Sequence, residues 1–133
     1  MLRLLLFHPH VAVAQVTSAS QTGRYVHTVH PNLRGATSTQ FVHPDALERT
    51  DVLFLAMPHG RAATAIARYA DMAKRVIDCS ADFRLRDPDL YTQWYGADHL
   101  APEWMSRFVY GLPERFRERL AGADYASGVG CNA

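Results

Sequence analysis

The sequence predicts an α/β protein built on a doubly wound parallel sheet, and three observations carry that prediction. Two apolar runs, Val11–Thr17 (VAVAQVT) and Asp51–Met57 (DVLFLAM), are continuous rather than alternating, as strands covered on both faces are. After the second run comes a segment of helical period, Arg61–Lys74. Short loops rich in Gly, Pro and Ser follow the runs, where an open α/β sheet places its ligands.

Taken in order, Leu2, Leu4, Leu5, Leu6 and Phe7 read as the last turns of a largely buried helix, stopped by His8-Pro9. Val11–Thr17 is the next strand, and Ser18–Gly23, small and polar, is a loop. The stretch through His30-Pro31-Asn32-Leu33-Arg34-Gly35 is irregular, and Thr39–His43 forms a strand ahead of a helical turn at Pro44-Asp45. Asp51–Met57 is the strongest strand, ended by Pro58-His59-Gly60. The helix after it sets Ala62, Ala65, Ile66 and Tyr69 on one side. Arg75–Asp78 is a strand, and Asp87-Pro88 opens a helix, since Asp caps well and Pro suits the first helical position. Phe108–Tyr110, the charged helix Arg115–Ala121 and the strand Asp124–Ser127 complete the alternation.

Composition narrows the functional classes. With 48% hydrophobic and 20% charged residues among 133, the chain has material for one core. A net charge of +1, with Lys and Arg spread along the chain, gives no footprint for nucleic acid or a membrane surface. No apolar run approaches the ~18 residues of a spanning helix. The Leu-rich start and Ala12-Val13-Ala14 mimic a secretory signal, but His8-Pro9-His10 interrupts the apolar run at once. Two cysteines, Cys79 and Cys131, exclude a disulfide framework and point to a reducing, cytoplasmic compartment. His27-x-x-His30 and His8-x-His10 lack partner ligands at zinc spacing, so no metal site is expected.

Six short segments occur in a meaningful order: Val16-Thr17-Ser18, His30-Pro31-Asn32-Leu33-Arg34-Gly35, Met57-Pro58-His59-Gly60, Ser80-Ala81-Asp82-Phe83-Arg84-Leu85, Tyr110-Gly111-Leu112-Pro113-Glu114 and Gly130-Cys131-Asn132-Ala133. Together they resemble the amino-terminal, Rossmann-like domain of the N-acetyl-γ-glutamyl-phosphate reductase family. Gly-Cys-Asn-Ala is closer to the branch acting on carrier-protein-linked α-aminoadipyl phosphate in lysine biosynthesis than to the arginine branch, which more often shows Cys-Tyr-Pro. The Pro-His-Gly and Ser-Ala-Asp-Phe-Arg loops argue against an aspartate-semialdehyde dehydrogenase relative. The family opens with a strand and a Gly-rich turn, and it carries a second domain with a catalytic histidine and subunit contacts. Against that pattern the sheet is incomplete here, residues 1–133 form a partial nucleotide-binding domain, and the isolated chain is expected to be unstable or inactive. The full-length form is expected to be a homo-oligomer.

The resemblance implies NADPH-dependent reduction of an acyl phosphate, free or carrier-linked, to a semialdehyde. Cys131 is implied as the nucleophile, displacing phosphate to give a thioester that then accepts hydride. Its place after a strand and a Gly-x-Gly turn is where a helix would begin, whose amino terminus favours thiolate and can hold an oxyanion. Ser18 and Ser20 follow the strand where ribose discrimination occurs. Thr17-Ser18-Ala19-Ser20 has no acid there and Arg24 is near, which favours NADP over NAD, the alternative being a polar surface loop with a solvated Arg24. Pro58, His59 and Gly60 are implied beside the nicotinamide ribose or pyrophosphate, the alternative being that His59 is a satisfied loop histidine. Ser80 and Asp82 shape the cofactor pocket or, alternatively, form a turn and cap a helix. Arg84 reads as an ion-pair partner, Glu114 as a helix starter, Cys79 as core filler, and Tyr91, Trp94 and Tyr95 as packing. A rival reading is a non-catalytic, Rossmann-like binding or interaction module of the same descent.

Overall fold

The computed structural model describes residues 1–131 and divides into two compact units, Met1–Glu48 and Arg49–Ala133. In the first unit, α1 (Leu2–Leu6) precedes β1 (Val16–Thr17), α2 (Val26–Val29) and β2 (Phe41–Val42). β1 and β2 pair in parallel, Val16 opposite Phe41 and Thr17 opposite Val42. Val26, Leu33 and Phe41 are its buried centre, with Leu2, Leu6, Val16 and Val29 packed against them.

Two expectations for this unit are corrected. α1 contributes no buried residue: its five-residue span turns Leu2 and Leu6 to the cluster and leaves Leu4 69% exposed. The strand expected over Val11–Thr17 is ordered as strand only at Val16–Thr17, because the ladder with Phe41–Val42 is two residues long; Val11 is exposed. The expected strand at Thr39–His43 narrows to β2, and Pro44–Ala46 is a 3₁₀ turn in which the His43 ring accepts the Asp45 N–H.

The second unit is a four-stranded, all-parallel sheet. β3 (Thr50–Leu55), β4 (Ala73–Asp78), β5 (Val109–Gly111) and β6 (Tyr125–Gly128) lie in the order β3-β4-β6-β5. Four helices connect them: α3 (Arg61–Met72), α4 (Pro88–Tyr95), α5 (Pro102–Met105) and α6 (Pro113–Ala121). The α/β class and parallel pairing are as the sequence predicts. α3 buries Ala62, Ala63, Ile66 and Tyr69, so Ala63 takes the core position expected of Ala65. Asp87 caps α4 by accepting the Asp89 and Leu90 N–H groups. α6 begins at Pro113, two residues before the expected start, with Glu114 in its first turn. α5 has no counterpart among the expected elements; Pro at its first position and buried Met105 are its signals.

Aromatic stacking thickens the core. Phe83 and Phe108 lie parallel at 4.1 Å between centroids, and His99 meets both Phe83 and Tyr91 edge-on. Tyr91 and Tyr95 pack as expected, whereas Trp94 is 73% exposed. Gly111 sits where β5 crosses closest to β6: a Cβ there would lie 2.5 Å from the Ser127 carbonyl oxygen, so only glycine fits. Among the described residues no helix is long and apolar enough to cross a membrane.

Candidate functional site

Because the four strands of the second unit run parallel, the loops leaving their carboxyl ends gather at one edge. They are Pro58–Gly60 after β3, Cys79–Arg84 after β4, Leu112 after β5 and Val129–Cys131 after β6.

Asp82 organises the first two of these loops. Its buried carboxylate accepts the Gly60 N–H at 2.7 Å and the Ala63 N–H at 2.9 Å, closing the open first turn of α3. Gly60 makes that turn with φ of +80°, a conformation that favours glycine. The same carboxylate lies 2.9 Å from His59 Nδ1. Nδ1 is the nitrogen that faces Asp82, and Nε2 is hydrogen-bonded to the Tyr91 hydroxyl at 3.2 Å. Tyr95 covers the ring at 4.6 Å between centroids. His59 is thus held at both nitrogens while its side chain stays 44% exposed. His99 braces the arrangement from behind. Its Nδ1 accepts the Ala101 N–H, so Nε2 carries the proton and donates it to the Asp82 carbonyl at 2.9 Å. Burial first, then the Asp82 charge, pushes the Tyr91 hydroxyl above its ordinary pKa.

Asp78 ends β4 as a second buried carboxyl. Ser80 donates to it from its backbone N–H at 3.0 Å and from Oγ at 2.7 Å, and Ser80 Oγ accepts the Asp82 N–H. Burial raises the Asp78 pKa, partly offset by those two bonds from Ser80. Of the alternatives for Ser80 and Asp82, the structure displays turn formation for one and capping for the other, with both side chains' oxygens directed inward.

Cys79 is a correction: it is exposed and not core. Strand alternation buries Val76 and Asp78, which sends Cys79 to the other side as the chain leaves the sheet. Its sulfur is partly desolvated, and this, followed by the Asp78 charge, raises its pKa. The Arg84 Nε donates to the Gly128 carbonyl at 3.0 Å, and its Nη2 lies 3.5 Å from the Cys79 carbonyl. Cys131 is exposed three residues beyond β6. Asn132 and Ala133 of the same motif, and the helix expected to follow, lie outside the described residues.

Ser18, Ser20 and Arg24 belong to the first unit. Their loop folds back on itself: Thr22 Oγ1 donates to the Ser18 carbonyl at 2.8 Å, and the Gly23 N–H donates to the Phe41 carbonyl. Ser20 and Arg24 are exposed, Ser18 half-buried. The Arg24 guanidinium donates to the neutral Gln21 amide at 2.6 Å. Part of the His-Pro-Asn-Leu-Arg-Gly segment lines an open depression of about 480 Å³ with His27 and Thr37.

Sequence reasoning therefore reached the loops and missed the scaffold beneath them. The buried acid at Asp78 had a signal, an Asp two residues before a Ser at the end of an apolar run. The contributions of Tyr91 and His99 had none, since both depend on contacts with loops 32 and 17 residues away.

Residues 1–123 match the semialdehyde dehydrogenase NAD-binding domain. A protein of Thermomicrobium roseum, provisionally named a LysW-L-2-aminoadipate 6-phosphate reductase, is 53% identical over 100% of this chain and 38% of its own length. The LysW-L-2-aminoadipate 6-phosphate reductase of Deinococcus radiodurans is 48% identical over 99% of this chain and 38% of its own. A third relative, from Cenarchaeum symbiosum, is 44% identical and carries a provisional name that adds LysW-L-glutamate phosphate to the aminoadipate substrate. The chain thus spans less than two fifths of the length of the curated relatives it matches.

Proposed function

Since this chain belongs to the semialdehyde dehydrogenase family through its NAD-binding domain, we propose that it forms the nucleotide-binding part of an NADPH-dependent acyl-phosphate reductase acting in amino-acid biosynthesis in the cytoplasm. The observation that carries this reading is Cys131, an exposed thiol on a glycine turn at the carboxyl edge of a parallel sheet, after a strand paired with the one that leads into the Asp82 loop. The Cys131 thiolate attacks the carbonyl carbon of the acyl phosphate. The C–O bond to phosphate breaks, inorganic phosphate leaves with the electron pair, and the acyl group remains as a thioester. NADPH, when bound, supplies the hydride that reduces the thioester to the aldehyde and frees the thiolate.

The residues present fit that dinucleotide. The loop from Thr17 to Arg24 contains hydroxyls, an amide and a guanidinium without a single acid, which suits a 2′-phosphate and would leave a ribose 2′-hydroxyl without its usual carboxylate. Ser18, Ser20 and Arg24 would hold that end. Pro58, His59 and Gly60 would line the nicotinamide ribose, with Ser80 and Asp82 fixing the loop's shape from beneath.

The natural substrate of the whole protein is proposed to be a carrier-protein-linked α-aminoadipyl phosphate, following the names of the relatives at 53% and 48% identity. The remaining length, a second domain, is proposed to complete the pocket and the subunit contacts of a homo-oligomer. In the full-length protein, Cys131→Ser should abolish phosphate-dependent reduction of NADP by the semialdehyde, followed at 340 nm. Retained turnover would remove Cys131 from the mechanism. Comparing carrier-linked with free acyl phosphate tests the substrate, and a higher kcat/KM for the free form would overturn the carrier.

A further inference from the structure

We infer that Tyr91 is a positioning residue for His59, holding the imidazole as a packing wall for the nucleotide; this rests on the Pro58–Gly60 loop meeting the cofactor. Tyr91 lies on α4, which Asp87 caps at one end and Gly96, with φ of +72°, closes at the other. Its ring is buried, and His99 meets it edge-on at 4.6 Å between centroids. His99 is itself hydrogen-bonded to the Asp82 carbonyl at 2.9 Å. The body of Tyr91 is thus fixed by the core, and its hydroxyl reaches the loop, 3.2 Å from His59 Nε2. Tyr95, one helical turn on, lies over the same imidazole at 4.6 Å between centroids and 32° between planes. The other ring nitrogen, Nδ1, faces the Asp82 carboxylate at 2.9 Å.

His59 needs such holding. Its side chain remains open to solvent, and an untethered ring there would change rotamer freely. With both nitrogens engaged and one face covered by Tyr95, the ring has its carbon edge and its second face left to offer a ligand. A ring presented in that way packs against a sugar or a nicotinamide and passes no proton to it. Burial, then the Asp82 charge, raises the Tyr91 pKa, so its hydroxyl keeps its proton through the neutral range. Tyr91 acts on the nucleotide only through the ring it holds, so removing its hydroxyl should matter only while His59 is present.

Tyr91→Phe, His59→Ala and the two combined, in the full-length protein, test this by fluorescence titration with NADPH and by initial rates. Tyr91→Phe keeps the ring and its packing and loses only the hydroxyl. It should raise Kd and KM for NADPH by about 3- to 10-fold, with kcat at saturating NADPH and KM for the acyl phosphate within about twofold of wild type. His59→Ala should weaken NADPH at least as much, and Tyr91→Phe added to it should weaken NADPH no further. A general loosening of the structure would instead multiply the two effects, and that result overturns the inference. The pH profile of kcat should keep its shape in His59→Ala; a limb lost from it would make His59 a proton carrier and overturn its role as a wall. If Tyr91→Phe binds NADPH like the wild type while His59→Ala binds it weakly, the positioning role alone falls and the loop keeps its place at the cofactor. Unchanged NADPH affinity in His59→Ala overturns that placement, and the inference with it.

Discussion

Asp78 shows what a single residue contributes that its neighbours in the chain do not announce. It ends a strand whose other inward position is Val76, and its carboxyl is fully buried with Ser80 supplying two donors. Desolvation outweighs those donors, so its folded pKa lies above the ordinary 3.8. A carboxyl with a raised folded pKa binds its proton more tightly in the native state. Its stabilising share is therefore complete below the ordinary value and is lost as pH rises through the folded one. Urea midpoints of the full-length protein and Asp78→Asn, measured from below pH 3.8 towards neutrality, should show the wild type losing ground to the variant as pH increases. A difference that stays flat with pH would show that Asp78 ionises as freely in the native state as in the unfolded chain. The same residue explains Cys79: with Asp78 taking the inward position, the cysteine after it is turned out.

Among the elements, α3 is the one that most directly shapes the candidate site. Its amino terminus follows a glycine with positive φ and a loop whose histidine is aimed by Asp82, a residue 22 positions after Gly60. One carboxylate thus satisfies two orphan helix donors and orients an imidazole. Asp82→Ala removes the cap and the anchor together and should lower stability by about 2 kcal/mol, read from the urea midpoint of the full-length protein. It should also weaken NADPH binding, because His59 would no longer be held at Nδ1. Stability within error of the wild type would mean that water replaces the carboxylate at the helix end. The helix itself was legible from its 3.6-residue period. Its cap was not, since the capping residue lies beyond the next strand, and capping rules read only the residues adjacent to a helix.

Over the whole molecule, the two units each leave strand edges open among the described residues. β1 has one partner, β2, and β3, the apolar six-residue strand, pairs only with β4. Open edges beside an apolar strand favour association between chains over a closed native state. Residues 1–133 expressed alone should therefore melt without a single cooperative transition in calorimetry, while the full-length protein should show one. A sharp two-state endotherm for the short chain would contradict this. The sequence by itself determined the α/β class, the parallel sheet, the loops that leave the carboxyl ends of its strands and the family, because hydrophobic period, turn residues and motif order are local properties of a chain. Only the tertiary structure decided that Asp82 caps α3 and aims His59, that Asp78 is buried and Cys79 exposed, and that Arg84 joins the ends of β4 and β6. Each of these is a contact between segments distant in sequence or a choice of sheet face, and both are set by how the strands pack rather than by the residues beside them.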